Sequence, residues 1–143
     1  MVKVSRSVHI NAPVEKVFAF LSDPCNLPEV CPSMVATQVT GKTHTGGQNF
    51  RWEYKMAGMR IQGESEVLEH VPNQKVITQS KKGIESTFVW HYEAEGDGMR
   101  LQVDVEYVIP VPLLGKLAEN VVAKLNEHEA DVLIENIKTR MEA

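Results

Sequence analysis

From Val35 to Ile109, apolar and polar residues alternate in short runs broken by turn-forming residues, the pattern of antiparallel strands. Phe50, Trp52, Tyr54 and Met56 interleave with Arg51, Glu53 and Lys55, and Leu101, Val103, Val105 and Tyr107 interleave with Gln102, Asp104 and Glu106. Each such strand has one dry face and one wet face. The breaks fall at Gly41 to Gly47, Ala57-Gly58, Pro72-Asn73, Lys82-Gly83 and Gly96-Asp97-Gly98. They delimit predicted strands over 35–40, 49–56, 59–70, 75–81, 85–95 and 99–109. A first strand, Lys3 to Ile10, precedes this meander, with Val4, Val8 and Ile10 on one face and Arg6, by the same period, sharing it.

Between the first strand and the meander the period changes. Val14, Val17, Phe18 and Leu21 recur at helical spacing behind Ala12-Pro13, which predicts a short helix with proline in its first turn. Asp23-Pro24 repeats the signal, with Asp23 as N-cap and Pro24 as the first residue of a second short helix ending near Pro32. After Ile109-Pro110-Val111-Pro112, about 28 residues from Leu113 to Arg140 run without proline or a late glycine and predict one long helix. Seven strands with one apolar face need a cover, and this helix is the element left to lie across them.

Composition narrows the field. At 143 residues the chain suits one domain, 1–143, able to bury a core without metal or disulfide support. With 15 basic against 19 acidic residues and a formal charge of −4, it offers no electrostatic footprint for nucleic acid. Val2, Lys3, Val4, Ser5 and Arg6 lack the apolar stretch of a signal peptide, and no run approaches the roughly 20 apolar residues of a membrane span, which reads as a cytoplasmic protein. Cys25 and Cys31 fit no CxxC redox or zinc spacing, and His44 and His70 complete no metal set around them. Two reduced, partly buried cysteines and no metal or cofactor are the expectation.

The stretches "HINAPVEKVFAFLSDPCNLPEVCPSM" and "IPVPLLGKLAENVVAKLNEHEADVLIENIKTRM", in this order of elements, resemble the SRPBCC superfamily: START lipid-transfer domains, the birch-pollen-allergen family and, most nearly, the bacterial polyketide cyclase/dehydrase-like proteins. The resemblance covers essentially the whole chain. It implies an α+β helix-grip fold: a seven-stranded antiparallel sheet wrapped around a long C-terminal helix, with two short helices between strands 1 and 2. It also implies a deep apolar cavity between sheet and helix. Pro13, Val17, Phe18 and Leu21 are fold-specifying positions in this pattern, so the resemblance brings no catalytic residue with it.

Within that frame, Glu129 stands out. On a wheel of about 100° per residue it falls near the centre of an apolar face made by Val121, Val122, Leu125, Val132 and Leu133. An ionised carboxylate there needs a partner or a function. Asn126 and Asn136 share its arc. Arg6 is a cationic partner for a buried ion pair, and the competing reading makes Glu129 a polar anchor or general acid/base in the cavity. Trp52, Tyr54, Phe88, Trp90, Tyr92 and Tyr107 lie on the inferred dry faces, where they serve either as aromatic walls for a flat or isoprenoid ligand or as ordinary core. Gly63 and Ser65, beside Met59 and Ile61, are small residues that leave room. The expected ligand-binding set is therefore Arg6, Trp52, Tyr54, Ser65, Phe88, Trp90, Tyr92, Tyr107, Val122, Leu125, Glu129 and Leu133.

His128 sits at the edge of the helix's apolar arc, while His9 and His91 alternate onto wet faces. No Ser-His-Asp or His-Cys arrangement assembles, which gives nucleophilic catalysis no support. "GKTHTGGQNF" leads into a strand and lacks a GK[ST] ending, so it reads as a hairpin at the cavity mouth and not as a phosphate loop. Val111, Leu113 and Leu114 form an apolar lip for transient membrane contact, or else pack beneath the helix start. Three functions follow. The first is binding or transport of a small apolar molecule such as a lipid, quinone or polyketide, without catalysis. The second is a cyclase-, aromatase- or dehydratase-type reaction with Glu129, aided by Tyr54 or His128, moving protons. The third is an accessory role at a membrane or partner surface.

Overall fold

The computed structural model describes residues 2–44, 46–56, 58–109 and 119–143. Strand β1 (Val2–Ile10) is followed by helix α1 (Val14–Leu21), a 3₁₀ turn (Pro24–Asn26) running into the single-turn α2 (Leu27–Val30), and strands β2 (Met34–Lys42), β3 (Gln48–Met56), β4 (Met59–Val71), β5 (Lys75–Lys82), β6 (Ser86–Glu95) and β7 (Gly98–Tyr107). Helix α3 (Glu119–Glu142) closes the chain. Strand bounds match the alternation to within a residue or two, as local patterning should when one face is dry.

The seven strands form one antiparallel sheet in the order β1-β7-β6-β5-β4-β3-β2. Six of them are a simple meander, and β1 returns to the far edge to pair along its whole length with β7, from Val2 opposite Tyr107 to Ile10 opposite Met99. This is the helix-grip arrangement expected from the order of elements.

Pro13 occupies the N-cap of α1 and not its first turn, because its ψ of 144° is still extended and its carbonyl accepts from the Lys16 and Val17 amides. Val17 and Phe18 bury the apolar stripe of that helix. The Asp23 carboxylate accepts from the Cys25 amide as anticipated for a cap, but the turn it starts is 3₁₀, and α2 ends at Val30.

Helix α3 lies across the sheet with Val122, Leu133, Ile134, Ile137 and Met141 buried. Val121 and Leu125, expected inward, are 43% and 47% exposed. The C-terminal half of the helix decides its rotation: Leu133, Ile134, Ile137 and Met141 belong to the main core cluster, and at about 100° per residue Leu125 lies roughly 120° and Val121 roughly 160° from Ile137. Lys16 donates to the Met141 carbonyl at 2.7 Å, Lys138 to the His9 carbonyl at 2.9 Å and Asn136 to the Val30 carbonyl at 3.0 Å, which pins this rotation. Val111, Leu113 and Leu114 lie outside the described residues.

Candidate functional site

A cavity of about 180 Å³ opens between the sheet and α3. The volume exceeds the ~150 Å³ that admits a benzene ring to a dry protein interior. Its wall is predominantly apolar and draws on β3 to β7, α2 and α3. The alternation that dries one face of each strand turns these side chains toward the helix.

Of the residues singled out from the sequence, Trp52, Tyr54, Ser65, Phe88, Trp90, Tyr92, Tyr107, Glu129 and Leu133 line this space. Three do not. Val122 is fully buried in the packing cluster around Tyr107 and Ile109, Leu125 faces solvent, and Arg6 forms an ion pair with Asp131 at 2.6 Å. The expected Arg6–Glu129 pair is thus replaced by Arg6–Asp131. Residues 129 and 131 are about 200° apart around the helix, so the flank that meets β1 carries Asp131 while Glu129 turns to the cavity. His128 is exposed, and Cys25, expected to be partly buried, is exposed as well. On the outer face His9 binds Glu95 at 2.8 Å and His91 binds Asp104 at 3.3 Å, as alternation requires.

Two aromatic groups shape the walls. Trp52 donates its indole N–H to Ser65 Oγ at 3.0 Å, and the absent side chain of Gly63 leaves room for that indole and not for a ligand, correcting the expectation that Gly63 opens the cavity. Phe18 of α1 meets Tyr92 edge-on at 4.9 Å and His70 at 5.1 Å. His70 joins the lining because the pairing of β4 with β5 shifts register between Val67 and Glu69. The bulge swaps the faces, so that Val67 and His70 both point inward and Leu68 is left 50% exposed. Period-2 reasoning, which keeps odd positions of β4 inward, misses this.

Polar atoms in the wall are few. Asn126 donates to the Tyr107 hydroxyl at 2.7 Å. Burial pushes the Cys31 thiol up to about 11, with the Glu129 carboxylate adding to the shift and the Met34 and Ser33 amides opposing it. The Tyr54 phenol is driven above its usual range chiefly by burial, then by Cys31 and Glu129, and a hydrogen bond with Ser33 opposes this. Tyr92 is raised by burial. These groups stay neutral near pH 7. Ser22 Oγ, His70 Nδ1 and Glu129 Oε2 are buried with no hydrogen-bond partner among the described residues, and all three residues line the cavity. Ser22 and His70 carried no sequence signal of this role: one follows a helix end, the other depends on a bulge.

A curved antiparallel sheet gripping a long helix over an apolar, aromatic-walled cavity defines a START-like domain. The chain belongs to the family described as polyketide cyclase / dehydrase and lipid transport, whose model matches residues 1–142. A structure from Thermus thermophilus superposes with a TM-score of 0.84 at 21% identity, covering 97% of this chain and 96% of the other. A START superfamily protein from Mycobacterium smegmatis gives 0.84 at 20% identity, covering 99% and 98%. The Zhui aromatase/cyclase of a Streptomyces species gives 0.77 at 14% identity, covering 98% and 93%. At these identities the superpositions establish the shared fold. No curated protein sequence matches the chain. No helix among the described residues is long and apolar enough to cross a membrane.

Proposed function

We propose that this protein binds a small, largely apolar molecule between its sheet and helix α3, and that it holds or carries that molecule without transforming it. The observation that carries this reading is the cavity itself: both tryptophans of the chain and three tyrosines line it, while three buried polar atoms in its wall lack partners among the described residues. Apolar walls with a few convergent polar groups are the usual build of a small-molecule site. An unsatisfied buried polar atom costs about 1–3 kcal/mol, and a ligand that supplies its partner recovers that cost.

Native mass spectrometry of gently purified protein, followed by organic extraction, tests it. The expected result is a stoichiometric adduct of low polarity that Leu133→Trp, which fills the space beside Glu129, displaces. A protein that is empty and also fails to take up hydrophobic probes overturns the proposal.

One observation favours a second reading, an enzyme of the cyclase or dehydratase kind. Glu129 Oε2 is buried in the cavity wall without a partner among the described residues, and Cys31 and Tyr54 line the same space. A general acid or base must reach the ligand in this way. Incubating the extracted ligand with wild-type protein and with Glu129→Gln separates the two readings. A carrier returns the ligand unchanged from both, whereas an enzyme converts it and the variant does not.

A further inference from the structure

Building on the ligand-binding reading above, we propose that the cavity selects neutral molecules bearing a hydroxyl or comparable hydrogen-bond donor on an apolar, ring-sized body, and that it turns away carboxylates and other anions.

Among the described lining residues there is no lysine or arginine, and Glu129 is the one carboxylate. Arginines elsewhere are engaged at the surface: Arg6 with Asp131, Arg51 with Glu64, Arg60 with Glu53, Arg100 with Glu95 and Arg140 with Glu29. An anion entering the cavity would leave water for an apolar wall with no lysine or arginine to pair with it. His70 sits at the far end of β4 from Ile61, the residue paired with Tyr54.

A carboxylate oxygen accepts and does not donate. Glu129 Oε2 is buried without a donor among the described residues, although the residue lines an open cavity. The Tyr54 hydroxyl and the Cys31 thiol line the same cavity and do not supply one. The missing donor is therefore the ligand's to provide. A hydroxyl or phenol meets the need, whereas a hydrocarbon leaves the oxygen unpaired and a ligand carboxylate has no proton to give. Ser22 Oγ and His70 Nδ1 can each act as donor or acceptor, so they add polarity without setting the sign of the charge accepted.

Calorimetric titration at about pH 8, where an ordinary imidazole is neutral, tests this with naphthalene, naphthol and naphthoate, which share one ring body. The expected ranking has naphthol about ten-fold tighter than naphthalene, the factor for satisfying one buried acceptor, and naphthoate weakest. In Glu129→Gln the advantage of naphthol shrinks and naphthoate gains affinity, because an amide can donate to it. Naphthoate binding wild-type protein as tightly as naphthol, or a ranking untouched by Glu129→Gln, overturns the inference while naphthalene binding leaves the ligand-binding reading standing. If none of the three binds, both fall. Should Glu129→Gln not fold, the wild-type ranking decides by itself.

Discussion

Replacing Gly63 with alanine sets two effects of opposite sign against each other. Glycine within a strand is intrinsically unfavourable relative to alanine by roughly 0.5–1 kcal/mol, so propensity alone makes Gly63→Ala stabilising. The local geometry argues otherwise. A Cβ on Gly63 would lie 2.6 Å from Trp52 Cη2 and nearer still to Trp52 Cζ2 and the Lys82 carbonyl oxygen, where ordinary contact begins at 3.4 Å. The carbonyl belongs to the β5 backbone and yields little. The indole cannot leave its place without breaking its N–H bond to Ser65. Overpacking costs about 1–3 kcal/mol and the lost hydrogen bond about 0.5–1.5 kcal/mol. After the propensity gain is subtracted, the net destabilisation is about 2 kcal/mol. With a urea slope of about 2 kcal/mol per molar, the unfolding midpoint falls by about 1 M, and tryptophan emission shifts as the Trp52 ring moves. A midpoint that stays level or rises, with emission unchanged, refutes the claim that the indole fills the space over Gly63.

Two further predictions concern charge. The Cys31 thiol sits at about 11 against an ordinary 9.0, so the unfolded chain loses its proton first as pH rises. Its contribution is fully present below about pH 9 and is lost as pH climbs through 11, amounting to about 2–3 kcal/mol. Urea midpoints measured on either side of that window should fall less in Cys31→Ala than in wild type, and a thiol reagent at about pH 8 should label exposed Cys25 while sparing Cys31; equal labelling of both would count against this burial. The Arg6–Asp131 pair is largely solvent-exposed, with side chains 32% and 57% accessible, so a double-mutant cycle should return about 0.2–1 kcal/mol of coupling, and Arg6→Ala should leave ligand affinity unchanged. Coupling of Arg6 to Glu129 in place of Asp131 would reinstate the buried pair.

What the sequence determined by itself is what period and punctuation encode. Alternation over Phe50 to Met56 and Leu101 to Tyr107, with turn residues between strands, specified a meander, its faces and the aromatics on the dry side, because strand geometry sends every second side chain the same way. The run after Ile109 specified the covering helix, whose described part begins at Glu119. Glu129 was legible as the odd residue on an apolar arc. The tertiary structure decided whatever depends on how elements meet. Packing of Ile134, Ile137 and Met141 set the rotation of α3, sending Leu125 outward and giving Arg6 to Asp131. A bulge in β4 brought in His70, and the space over Gly63 went to an indole. None of these is a local preference. Each is a contest for the same volume among residues distant in the chain, and only the packed molecule resolves it.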